Sequence, residues 1–131
     1  MGDNDTRTPP ASAGVLRLIL DALEEAKAVD ICQLDVRKLT DITDFMIIAS
    51  GTSHRHVHAM ADRVREAACQ KQFRPIGVEG EAENDWILMD YAEVVVHLMM
   101  PQVRELYSLE RLWNNHLAEA AQHPRDTLSD S

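Results

Sequence analysis

The chain has few cysteines, no long apolar run and none of the short boxes that announce catalysis. Its two cysteines, Cys32 and Cys69, lie far apart with no CxxC or CxxH spacing. That arrangement gives no support for a metal or redox centre and fits two reduced, partly buried thiols. No apolar stretch approaches the ~18 residues that span a bilayer, so no membrane partner is expected. The polar N-terminus with Pro9-Pro10 does not resemble a secretory signal. A cytoplasmic protein is expected, or an organellar one whose transit peptide is missing from this sequence. There is no GxxxxGK[ST] phosphate loop, and only Gly51 stands where a dinucleotide fingerprint needs three spaced glycines.

What is present is acid. The 131 residues carry a net charge of −9. A phosphate backbone repels such a surface, because nucleic-acid affinity comes largely from Lys and Arg displacing counterions. Direct, strong nucleic-acid binding is therefore not expected. A basic protein partner suits the charge, and so does plain solubility.

Residues 1–13, rich in Asp, Thr, Pro and Ser, read as a disordered tail. Residues 14–116 read as one domain, and 117–131 as a frayed C-terminal tail. Leu16, Ile19, Leu20 and Leu23 recur at helical spacing over 14–28. Alternation over 31–36 predicts a strand, and 37–44 a connection. Phe45-Met46-Ile47-Ile48-Ala49 is a continuous apolar run of the kind covered on both faces of a sheet. Gly51-Thr52-Ser53 breaks it and caps a helix whose stripe is Val57, Met60, Ala61, Val64 and Ala68, ending near Gln70. Residues 74–79 predict a short edge strand because Pro75 cannot donate to a ladder. Trp86–Asp90 and Glu93–Met99 predict an antiparallel hairpin turning at Tyr91-Ala92. Pro101 opens a last helix carrying Val103, Leu106, Leu109 and Trp113. The order α-β-β-α-β-β-β-α implies an α/β or α+β domain of layered type, with a mixed five-stranded sheet and three helices.

Three constellations could carry chemistry. Gly51–Ser53, between a strand and a helix, is where a phosphate could bind. His54 and His58, four apart on a helix, have the spacing of a helical zinc pair, with Asp62 one turn on and His56 pointing elsewhere. Exposed polar residues on a first helical turn account for them as well. Glu79, Glu81, Glu83, Asp85 and Asp90 crowd a turn, where solvated charge is the norm. No cofactor is implied. Trp86 opens its strand beside these acids. Under period-two alternation it shares a face with Leu88 and Asp90, while Ile87, Met89 and Tyr91 lie on the other. An exposed Trp beside acids is a common hot-spot composition; a core Trp is the alternative.

Four segments resemble the ribosomal silencing factor family, related to plant Iojap, over roughly residues 15–115. They are Leu34-Asp35-Val36 with Thr43–Ala49, the helix start Gly51–Asp62, the hairpin Trp86–His97, and the closing helix Arg104–Trp113. The resemblance implies a nucleotidyltransferase-like fold without that enzyme's metal-binding acids, and no catalysis. It implies binding to the large ribosomal subunit through a ribosomal protein of the L-fourteen family. Joining of the subunits is thereby blocked by steric occlusion, and translation falls when nutrients run out. Organellar relatives are linked to ribosome assembly. Carried onto this chain, Trp86, Leu88, Asp90 and Tyr91 become the contact neighbourhood, with Trp86 as apolar anchor and Asp90 as charge partner for Lys or Arg. Arg55, Tyr107 and Glu110 match positions expected to hold helices on the sheet. Ala92 stands where the family usually has Gly, at a cost of ~1 kcal/mol if its φ is positive. Large-subunit assembly and nucleotide-dependent enzymology through Gly51–Ser53 are the other functions in play. A homodimer through a sheet edge or the first helix is an open expectation.

Overall fold

The computed structural model describes the backbone of residues 10–107 and the side chains of 14–105. Its elements are α1 (Pro10–Glu25), β1 (Val29–Asp35), β2 (Phe45–Ser50), α2 (His54–Gln70), β3 (Gly77–Glu79), β4 (Trp86–Asp90), β5 (Val94–Met99) and α3 (Pro101–Tyr107). The order matches the expected one. α1 starts at Pro10, four residues inside the segment expected as tail. Proline suits a first helical turn because its missing N–H would lack an intrahelical partner anyway. Leu109, Glu110 and Trp113, like the C-terminal tail, lie outside the described residues.

The five strands form one mixed sheet in the order β1-β2-β5-β4-β3. β2 and β5 run parallel, with Phe45 opposite Val94 and Ser50 opposite Met99. The other neighbours are antiparallel. β2 is buried at all six positions, as its unbroken apolar run requires. β3 is an edge strand of three residues, shorter than the expected 74–79, with Pro75 outside it.

α1 and α2 pack together on one face of the sheet. Val15, Ile19 and Leu23 of α1 meet Val57, Met60 and Val64 of α2 over Ile47, Ile87, Met89, Val96 and Leu98. Most of the apolar stripe of α1 is thus used within the chain, with Leu20 half-buried. Both helices end in the same way. Ala28 N–H donates to Leu23 O and Lys27 N–H to Glu24 O; Phe73 N–H donates to Ala68 O and Gln72 N–H to Cys69 O. These are Schellman ends with Lys27 (φ 62°) and Gln72 (φ 67°) in the left-handed position that glycine usually fills.

The opposite face has a smaller cluster of Leu34, Val36, Met46, Ile48 and Met99, against which Cys32, Trp86 and Val103 pack. Val103 touches both clusters, placing α3 at the rim of the sheet.

Candidate partner-binding surface

β4 alternates as its sequence demands. Ile87 and Met89 are buried under the helices, while Trp86, Leu88 and Asp90 are half-buried on the opposite face. Their neighbours on β5 are Met99, His97 and Val95 in turn. Leu88 and Val95 keep part of their apolar surface in solvent, beside Trp86 and Asp90.

Trp86 is therefore neither a core residue nor a loose one. Its indole Nε1–H donates to His97 Nδ1 at 2.9 Å, with the ring centroids 5.9 Å apart. An indole nitrogen is a donor only, so Nδ1 must accept, and the neutral imidazole carries its proton on Nε2. Burial enforces this neutrality: His97 is 6% exposed and its pKa is pushed down to about 4. A buried histidine thus fixes the plane of a half-exposed tryptophan. Sequence reasoning placed His97 only at the end of the hairpin segment and gave it no role of its own.

Asp90 has a local task. Its Oδ1 accepts from Ala92 N–H at 2.8 Å, closing the hairpin turn in which Ala92 has a φ of 73°. The strain expected from Ala at this position is present, and the aspartate side chain holds the turn that bears it. Tyr91 corrects the expected surface. It is 5% exposed and belongs to the core under the helices, on the face away from Trp86. Its hydroxyl is buried without a hydrogen-bond partner among the described residues, and burial pushes its pKa up.

The turn leading into β4 is tightly specified. Gly80 has a φ of 91°, and a Cβ there would stand 2.0 Å from the carbonyl oxygen of Trp86. Asn84 N–H closes the turn on Gly80 O, and Met100 N–H donates to Asp85 O. Two of its acids, Glu81 and Asp85, have partners, where the sequence suggested only solvated charge. Asp85 Oδ1 lies 2.5 Å from His54 Nε2, and Glu81 Oε2 takes Arg65 Nη2 at 2.5 Å. Glu81, foremost among its neighbours, holds the Arg65 guanidinium above its ordinary pKa.

The helix cap has the shape expected of it, and the amides of Gly51, Thr52 and His56 have partners. Ser53 Oγ accepts from His56 N–H at 3.0 Å, Thr52 N–H donates to His56 Nδ1 at 2.8 Å, and Gly51 N–H donates to Met99 O. His56 Nε2 in turn meets Ala26 O at 2.8 Å, fastening the end of α1 to the start of α2. His56 is half-buried, not an exposed first-turn residue. Gly51 is explained by packing: a Cβ would come 2.7 Å from Val57 Cγ2. Three amides that a phosphate would use are thus engaged. Arg55 is exposed and does not enter the helix–sheet interface. Cys32 is half-buried and Cys69 exposed, and neither is in a disulfide. No described helix is long and apolar enough to cross a membrane.

Residues 9–131 match the family model described as "Ribosomal silencing factor during starvation". The chain belongs to the ribosomal silencing factor family. A ribosomal silencing factor from Chromobacterium violaceum is 40% identical over 99 residues, covering 76% of this chain and 81% of the relative. A mouse relative, named for mitochondrial assembly of the ribosomal large subunit, is 36% identical over 73% of this chain and 43% of its own. A crystal structure of a Chromobacterium violaceum protein superimposes with a TM-score of 0.76 at 39% identity, covering 78% of this chain and 85% of that one. The ribosomal silencing factor fold here is the mixed five-stranded α+β sheet already described.

Proposed function

We propose that this chain binds the large ribosomal subunit through a ribosomal protein of the L-fourteen family, blocks joining of the small subunit, and so lowers translation when nutrients are short. The observation that carries the reading is the half-exposed Trp86–Leu88 strip beside Asp90, in a chain of the ribosomal silencing factor family. The indole is held in place before any partner arrives, so less rotamer entropy is lost on docking. The net charge of −9 suits a partner that is basic because it binds RNA. Occlusion of the intersubunit surface needs no bond made or broken. Trp86 and Leu88 form the contact and Asp90 meets a Lys or Arg with the oxygen that the turn does not use. Tyr91 supports the strand from beneath.

The test is co-sedimentation with purified subunits, combined with a light-scattering assay of subunit joining. Wild type is expected to travel with the large subunit only and to slow joining. Trp86→Ala is expected to weaken binding about 30-fold, the effect of truncating a hot-spot anchor worth ~2 kcal/mol. Absence of wild-type binding would overturn the function; full binding by a folded Trp86→Ala variant would move the site elsewhere. A second reading, assembly of the large subunit, draws on the name of the mouse relative. It differs in timing, and preferential binding to immature over mature large subunits would favour it.

A further inference from the structure

Beyond the ribosomal reading, the geometry points to a zinc site formed by His58 and Asp62 of α2 with Glu81 of the turn before β4. One imidazole nitrogen and one oxygen from each carboxylate lie within 4.8 Å of one another. His58 Nε2 and Asp62 Oδ2, one helical turn apart, are 3.2 Å from each other. Two ligands about 2.0–2.1 Å from a tetrahedral zinc ion stand ~3.3 Å apart, so this pair already has the required spacing. Glu81 completes the set from a different element.

The turn bearing Glu81 has little freedom to place it elsewhere. Gly80 and Asn84 both take left-handed backbone conformations, and the Asn84 N–H to Gly80 O bond closes the turn between them. A neutral imidazole and two carboxylates carry a charge of −2, which a divalent ion neutralises. The nitrogen ligand favours zinc over calcium or magnesium, which take oxygen ligands. The exposed side of the cluster leaves the fourth position to water.

The carboxylates already attract a cation. Arg65 places Nη1 3.2 Å from Asp62 Oδ1 and Nη2 2.5 Å from Glu81 Oε2. Zinc competes with this guanidinium for the same two acids. An open groove of about 570 Å³, lined by Asp62, Arg65, Glu66, Cys69 and Gln70, gives Arg65 room to swing away. A bound ion would clip α2 to the turn that leads into Trp86.

Calorimetric titration of metal-free protein with Zn²⁺ at pH 7 tests the site without any ribosome, so its failure and that of the ribosomal reading are separable. One saturable site is expected. Replacing a ligand, as His58→Asn or Glu81→Gln, should weaken it roughly tenfold or more. Arg65→Gln should tighten it by removing the competing charge. Cobalt supplies a second readout, since a tetrahedral site gives intense visible absorption. Circular dichroism checks that each variant is folded. No saturable binding by wild type, or binding that His58→Asn and Glu81→Gln leave unchanged, overturns the assignment. The second result would place the ion elsewhere on the chain.

Discussion

The two faces of the sheet solve different problems with the same strands. Under α1 and α2 the contact is apolar almost throughout, and a side chain there has no role but to fill space. The opposite face has a smaller buried cluster and places His97, Trp86 and Asp90 around it. Each of those polar groups has a specific hydrogen bond, so this face holds orientation as well as volume. The difference teaches where sequence change is absorbed and where it is read out. One face sets stability, and the other adds a dependence on protonation state and, under the proposed function, a surface for a partner.

Neighbouring residues on β4 give the sharpest way to break that comparison. Ile87→Ala, beneath the helices, should cost ~3 kcal/mol of stability in urea denaturation. Leu88→Ala, one residue on and half-buried, should cost only ~1 kcal/mol, and under the proposed function should weaken large-subunit binding more than folding. Equal losses of stability would mean that the two faces do not differ.

His97 sharpens the comparison through pH. Its folded pKa lies below that of the unfolded chain, so the unfolded state takes up the proton first. Stability is therefore complete above pH ~6.5, falls as pH drops towards 4, and flattens below. A shift from 6.5 to about 4 corresponds to ~3 kcal/mol. Denaturation curves between pH 7 and 4 should show that slope, and His97→Leu should remove its share even though it also removes the Trp86 Nε1–H to His97 Nδ1 bond. An unchanged slope in the variant would assign the pH dependence to other groups.

Smaller effects probe the helix-covered side. Tyr91→Phe removes a buried hydroxyl that has no partner among the described residues and should leave stability unchanged or raise it by up to ~1 kcal/mol. A clear loss would show that the hydroxyl is satisfied in solution. Lys27→Gly and Gln72→Gly relieve left-handed strain at the two helix ends, and each should add ~0.5 kcal/mol, visible as a small rise in Tm.

Much of this was legible in the sequence. The order of elements, the buried run of β2, the Ser53 cap and the alternation of β4 all followed from local pattern. Four things did not. Pro10 read as tail because paired prolines suggest disorder, although a proline is equally at home in a first helical turn. Tyr91 sat in a motif beside Trp86, and proximity in sequence outweighed the alternation that placed it underneath. His58 and Glu81 were each visible, but their meeting depends on how the turn from Gly80 to Asp85 folds back over α2, which no local rule supplies. The ring of His56, reaching Ala26, was hidden for the same reason.

The parallel pairing of β2 with β5 has a consequence for how the molecule is made. β2 is complete by Ser50, yet its partner begins only at Val94. During synthesis, an apolar strand with six positions destined for burial must wait, with only β1 beside it, until α2, β3 and β4 have been added. Such non-local pairing slows folding and leaves an adhesive edge open meanwhile. The sheet can close only when most of the chain has left the ribosome that builds it.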